Sequence, residues 1–173
     1  MRIAIVALAL VGIGLGVWLA SDDDGDGGAE EAVSAAAKIV SPTELSSIAA
    51  SSPTPIYWAG ERPDTELELT EEEGNFYLRY LEDGAEPGSD PGGFLTIGSY
   101  PLENPRAELD EVAARPTAVV RHAADGRQVV SSEENPNSVY FVSPDNSAQV
   151  EIFDPSADVA MDLALSGDIQ PAD

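Results

Sequence analysis

Ile3 to Ala20 reads IAIVALALVGIGLGVWLA, an apolar run without a single charged side chain. At about 1.5 Å of rise per helical residue, such a run reaches roughly 27 Å, close to the hydrocarbon thickness of a bilayer. A helix that is apolar on every side has no natural place in a small water-soluble domain. The rest of the chain is therefore either joined to a membrane segment or released from one. Arg2 precedes the run, and Asp22, Asp23, Asp24 and Asp26 follow it at once. Positive charge stays on the cytoplasmic side. The expected form is thus a single-pass signal-anchor in the cell membrane, with residues 3–20 in the lipid bilayer, the N-terminus cytoplasmic and the remainder extracytoplasmic. Trp18 suits an anchor at the outer headgroups. The alternative is a secreted soluble domain after signal cleavage, which needs small residues at the third and first positions before the cut. Gly14 and Gly16 meet that rule, but a cut after Gly16 leaves Val17, Trp18 and Leu19 in water. Gly12, Gly16 and Ala20 lie along one stripe, which either lets two spans approach closely or reflects how common glycine is in spans.

The portion beyond the run is anionic. The chain of 173 residues holds 32 acidic and 8 basic side chains, a net charge of -24. Nucleic acid is excluded as a direct ligand, because phosphate contacts need clustered Lys and Arg. Anionic headgroups repel such a surface as well. With no cysteine and one histidine, the composition offers no disulfide, thiol nucleophile or transition-metal cluster, and no cofactor is expected.

Residues 21–40 read as an acidic, flexible tether, too poor in large apolar residues to pack. Asp22, Asp24 and Asp26 occupy the first, third and fifth positions of a calcium loop, with Glu30 at the ninth. Val33 stands where the bidentate glutamate belongs, so the stretch is either a weak calcium site or a solvated acidic spacer. Isothermal titration of a peptide covering residues 21–40 separates the two, since a spacer gives no heat at millimolar calcium.

Residues 41–173 read as one extracytoplasmic α+β domain. Ser41-Pro42-Thr43-Glu44 is a capping box with Pro at the first helical position. Leu45, Ile48 and Ala49 follow on one face, and Pro53 and Pro55 end the helix. Asn104-Pro105 opens a second helix, and Asp154-Pro155 opens a third that Gly167 stops. Strands are expected over Ile56–Ala59, Asp64–Thr70, Phe76–Leu81 and Phe94–Tyr100. Four more are expected over Thr117–His122, Arg127–Ser131, Ser138–Ser143 and Ala148–Phe153. Glu82–Gly93 reads as a mobile acidic loop. Every strand link is too short for a parallel crossover. The expected architecture is an antiparallel sheet of about seven to eight strands with three short helices on one face, behind an N-terminal transmembrane helix. The repeated polar-Pro helix openings suggest two duplicated halves.

Four motifs occur in order: Pro55-Ile56-Tyr57-Trp58-Ala59-Gly60, Phe94-Leu95-Thr96-Ile97-Gly98-Ser99-Tyr100-Pro101, Ser138-Val139-Tyr140-Phe141, and Val150-Glu151-Ile152-Phe153-Asp154-Pro155. In them the chain resembles a group of single-pass, membrane-anchored proteins of high-GC Gram-positive bacteria to which no function is assigned. The resemblance covers roughly residues 41 to 170. It implies a single-pass anchor and one exported domain, a binding or structural module of the cell envelope.

His122 is the one base available to a Ser-His-acid relay, and a small hydrolase would have to use it. No G-x-S-x-G elbow accompanies it, and Gly98-Ser99-Tyr100-Pro101 lacks the second glycine. Gly92-Gly93 lacks the lysine of a phosphate loop. No catalytic residue is assigned. The candidate contact patch is Tyr57, Trp58 and Arg62, since Tyr, Trp and Arg are enriched where proteins bind. The competing reading puts Tyr57 or Trp58 in the core. A ligand or an envelope protein would be the partner, and the sequence does not fix an oligomeric state.

Overall fold

The computed structural model describes residues 37–82, 84–88 and 91–173. The apolar run 3–20 and the candidate calcium ligands Asp22, Asp24, Asp26 and Glu30 lie outside these residues. Among the described residues, no helix is long and apolar enough to cross a membrane.

Strand β1 (Lys38–Val40) leads into helix α1 (Pro42–Ser51), then β2 (Tyr57–Trp58), β3 (Thr65–Glu72), β4 (Asn75–Glu82) and β5 (Thr96–Tyr100). Helix α2 (Pro105–Ala113) follows, then β6 (Ala118–His122), β7 (Gln128–Ser132), β8 (Asn135–Val142) and β9 (Gln149–Phe153). Helix α3 (Ala157–Ser166) and β10 (Gln170–Pro171) close the order. Eight strands form one antiparallel sheet in the order β1-β3-β4-β5-β9-β8-β7-β6. The chain thus lays down β3, β4 and β5 as a meander, crosses by α2 to the far edge, and returns inward until β9 meets β5. An α+β fold with an antiparallel sheet and three helices is what the sequence pattern indicates.

Local chemistry explains the elements. Ser41 Oγ accepts the Glu44 N–H at 3.2 Å, and Glu44 Oε2 accepts the Ser41 N–H at 2.9 Å, the reciprocal bonds of a capping box. The Ser41 N–H, joined by the Ser41 hydroxyl donating to Oε2 at 2.9 Å, holds the Glu44 carboxyl below the usual carboxylate range. The β3–β4 hairpin turns through Glu73 and Gly74, both at positive φ (52° and 81°). That is the type I′ geometry whose twist matches the strands it joins.

The two sheet faces follow from the register. Leu67, Leu69, Leu78, Ile97, Val139, Phe141, Val150 and Ile152 point to one face and form the main core with Leu45 of α1 and Ala160 and Ala164 of α3. The alternate residues Val130, Tyr140 and Val142 meet Leu109 and Val112 of α2 on the other face. The helices therefore do not share one face, contrary to the sequence expectation. A two-fold axis normal to the sheet between β5 and β9 would carry α2, which follows β5, onto α3, which follows β9, on the same face. Their opposite placement removes the helices from any duplicated plan.

Two short strands, β1 and β10, escape the sequence pattern. Lys38–Val40 falls within the stretch read as tether, yet it pairs with β3, Val40 opposite Leu67. Val40 is buried in the main core, and that burial ends the tether sooner than its composition suggests. β2 is not part of the large sheet. It pairs with β10, Gln170 opposite Trp58 and Pro171 opposite Tyr57, and the Ala172 N–H donates to the Ile56 carbonyl at 2.8 Å.

Candidate binding cleft and buried polar clusters

Tyr57, Trp58 and Arg62 are near in sequence, and the fold separates their roles. Tyr57 is buried in the main core, with its ring edge-on to Phe141 at 6.0 Å and its N–H donating to Ser99 Oγ at 3.1 Å. Burial pushes its phenol pKa up. Trp58 is half-buried and packs against the same core. Arg62 is half-buried too, and it lines two clefts.

Arg62 lies in the β2–β3 connection, which Tyr80 holds in place. The Tyr80 hydroxyl accepts the Ala59 N–H at 2.7 Å and donates to the Gly60 carbonyl at 3.1 Å. Gly60 turns there at φ 71°. Farther on, Thr65 Oγ1 donates to the Arg62 carbonyl at 3.1 Å, closing the loop before β3. The Arg62 guanidinium then rests over the Tyr80 ring, 5.7 Å from its centroid, in reach of a cation–π contact. Burial raises the Tyr80 phenol to about 12, opposed by the Ala59 hydrogen bond and the Arg62 charge.

Arg62 and Thr65 line two clefts. One, of about 490 Å³, also has Tyr80, Glu82, Phe94 and Asp154 in its wall. The other, of about 480 Å³, has Ser41, Glu44, Glu61 and Glu66. Arg62 makes no ion pair among the described residues, and its Nε is buried without a hydrogen-bond partner. A buried donor left unpaired costs about 1–3 kcal/mol. Of the other arginines that are buried or half-buried, Arg115 follows α2, and Arg79 and Arg127 are engaged inside the fold. Arg79 pairs with Glu68, while Arg127, whose Nε also lacks a hydrogen-bond partner, lies 4.1 Å over the Phe141 ring, donates through Nη2 to the Ala164 carbonyl near the end of α3 and pairs with Asp125 at 3.7 Å.

The second sheet face carries two acidic clusters that the sequence reading did not single out. Glu68 is buried and accepts from Arg79 Nε at 2.6 Å, with the Nη2 ion pair beside it, and from the Gly88 N–H at 2.6 Å. The Gly88 contact ties part of the acidic loop to the sheet. Glu151 is buried as well. Its Oε2 accepts the Tyr100 hydroxyl at 2.5 Å and its Oε1 the Tyr140 hydroxyl at 2.9 Å. Gly98 stands opposite Glu151, with Tyr77 on its other side. A Cβ at position 98 would fall 2.7 Å from Tyr100 Cζ, so glycine is what lets that ring lie across the sheet. Burial first, and the Glu151 charge second, push both phenols strongly up. Their protons therefore stay on, and both act as donors. Sealed in this way, the cluster organises the interior and offers no surface to a substrate.

His122 is exposed at the end of β6, and among the described residues no serine or carboxylate is hydrogen-bonded to it. Ser99 is buried, its hydroxyl taken by Tyr57. Among the described residues no group of three or more His, Cys, Asp or Glu is placed to hold a metal ion. Comparison of the chain with protein-family models, curated proteins and solved structures gives no match.

Proposed function

We propose that this chain is a single-pass membrane protein whose α+β domain works outside the cell as a binding module, with the cleft around Arg62 as its contact site. The apolar run, Arg2 before it and the aspartates after it support the anchor and its orientation. The resemblance to anchored proteins of high-GC Gram-positive bacteria supports the same arrangement. One observation carries the binding role: a half-buried arginine whose Nε has no acceptor stands at the wall of two clefts. Glu82 and Asp154 share one of those clefts. A ligand that fits offers an oxygen acceptor to Arg62 and a cation to the carboxylates, which describes a zwitterionic, peptide-like molecule.

Glycylglycine serves as the probe. On titration into the full chain in detergent micelles, the Arg62 Nε–Hε resonance is expected to shift, and sodium acetate, lacking the cation, to shift it less. An unmoved resonance at tens of millimolar glycylglycine rejects the cleft. Topology has its own test. Protease added to whole cells is expected to digest the domain, while the mass of the purified chain retains residues 1–20. A mass lacking those residues identifies a secreted domain instead.

A further inference from the structure

We propose that two copies of the chain join through the free edge of β6, antiparallel and centred on Val120, so that the two sheets continue into one. The sheet has two edges, β1 and β6. β1 is three residues long and runs straight into Pro42 and α1, which blunts it. β6 is five residues, Ala-Val-Val-Arg-His, with neither proline nor glycine, and no bulge interrupts its pairing with β7.

The register shows which groups are free. Glu133 donates to the Thr117 carbonyl and Ala123 to the Arg127 carbonyl, so the odd-numbered residues of β6 bond toward β7. The even-numbered ones turn their backbone groups outward. Val120 thereby presents both N–H and C=O, His122 its N–H and Ala118 its C=O. The Ala118 N–H is already spent on the Arg115 carbonyl. Pairing about Val120 sets Val120 against Val120 of the second copy and His122 against Ala118. Val119 then lies opposite Arg121, so no like charges meet directly. Val120 is also 39% exposed, one of the few large apolar side chains left in water. Closing the edge on itself covers it on both copies.

Charge opposes this edge less than the other one. On a chain of net charge -24, most close approaches repel. β6 itself carries no carboxylate and exposes Arg121, although α2 beside it bears Glu108, Asp110 and Glu111 with Arg106. The opposite edge, by contrast, exposes Glu66, Glu71 and Glu72 on β3. The two β6 edges meet under an isologous two-fold, which closes after two copies.

The absence of cysteine makes the test direct. In the full chain in detergent micelles, Val120→Cys places its thiol opposite only its own counterpart. Cα atoms of such a pair lie about 5.5 Å apart, within disulfide range. Under mild oxidation, Val120→Cys is expected to form crosslinked dimer about tenfold faster than Leu102→Cys, an exposed control, because pairing raises the local thiol concentration. Adding His122→Pro, which deletes an outward N–H that β7 does not use, is expected to return Val120→Cys to the control rate. Raising salt is expected to speed the reaction by screening the repulsion. Equal rates for Val120→Cys and Leu102→Cys overturn the proposal. So does preferential crosslinking of Val120→Cys to a Lys38→Cys chain, which would mean an open head-to-tail array. Contacts through residues 3–20 do not imitate a β6 signal.

Discussion

The two faces of the sheet are built from the same strands and are held by different physics. On the first face Leu78, Ile97, Phe141, Val150 and Ile152 are almost wholly buried among other apolar side chains, under α1 and α3. On the second, β3 and β9 each bury a glutamate at the matching level of exclusion from water. Glu68 has an arginine and a backbone amide; Glu151 has two tyrosine hydroxyls. Dispersion and water release are non-directional, so the first face depends on filled volume. A buried carboxylate needs donors at fixed positions, so the second face depends on matched pairs. An apolar face permits many fillings. A polar one specifies register, because slipping β3 against β4 by one residue would put Glu68 and Arg79 on opposite sides.

The largest effects test this difference directly. Phe141→Ala is expected to lower unfolding stability by about 3–5 kcal/mol, through lost transfer energy and the cavity left behind. Arg79→Ala is expected to cost a similar 3–5 kcal/mol, because Glu68 would keep its place without its charge partner. The paired change Glu68→Leu with Arg79→Met is expected to recover most of that loss, to within about 1 kcal/mol of the parent or better. Urea denaturation of the three variants reads it out. A double variant as unstable as Arg79→Ala alone would show that the second face needs its ions for more than mutual satisfaction.

Next in size is Gly98→Ala, expected to cost about 1–3 kcal/mol as the new methyl drives the Tyr100 ring off the Glu151 carboxylate. Changing Ile97 to valine, one residue away on the apolar face, is expected to cost about 0.5–1.5 kcal/mol. Equal losses at both sites would deny the close fit at Gly98.

Alkaline pH probes both faces at once. Tyr100 and Tyr140 on the polar face and Tyr80 on the apolar one all have phenols raised by burial. In the unfolded chain each ionises near the ordinary tyrosine value of about 10. The raised folded values contribute stability that is complete below pH 10 and is lost as pH climbs through the folded pKa, about 12 for Tyr80. Between pH 10 and 11 each such tyrosine is expected to remove up to about 1.4 kcal/mol. Denaturation midpoints followed by tyrosinate absorbance check the slope, and Tyr80→Phe is expected to flatten it. An unchanged slope would show that Tyr80 is no better shielded than a surface phenol.

Sequence pattern made the first face legible and left the second hidden. Alternation in Asp64–Thr70 marks Leu67 and Leu69 as inward, and the same alternation assigns Glu66 and Glu68 to the other side. It cannot say that Glu68 is buried there, because that depends on Gly88 and Arg79 arriving from elsewhere. A local signal did exist: Arg79 between Leu78 and Tyr80, and Glu151 between Val150 and Ile152, are single charges inside apolar strands. Such charges need a partner. β10 had no local signal at all, since Gln170 and Pro171 pair only because α3 returns the tail to Tyr57 and Trp58. The position of β9 beside β5 is likewise set by the length of the detour through β6, β7 and β8. Arg62 could be named from sequence as a contact residue, but not its unpartnered Nε, which arises from the way Tyr80 fixes the loop.

The smallest expected effects compare the helix starts on the two faces. α1 opens with both bonds of its capping box made, and it lays Leu45 on the apolar core. α2 opens at Asn104 with no side-chain hydrogen bond to its first turn, although asparagine is among the best capping residues. What holds α2 is burial, with Pro105, Leu109 and Val112 pressed onto the second face. Ser41→Ala is therefore expected to cost about 1 kcal/mol, the usual worth of a lost cap. Asn104→Ala is expected to stay within about 0.5 kcal/mol of the parent, the range of surface changes that break no specific feature. Thermal unfolding of the two alanine variants decides it. If Asn104→Ala costs as much as Ser41→Ala, then α2 too relies on its first turn, and its attachment to the polar face is weaker than its buried residues imply.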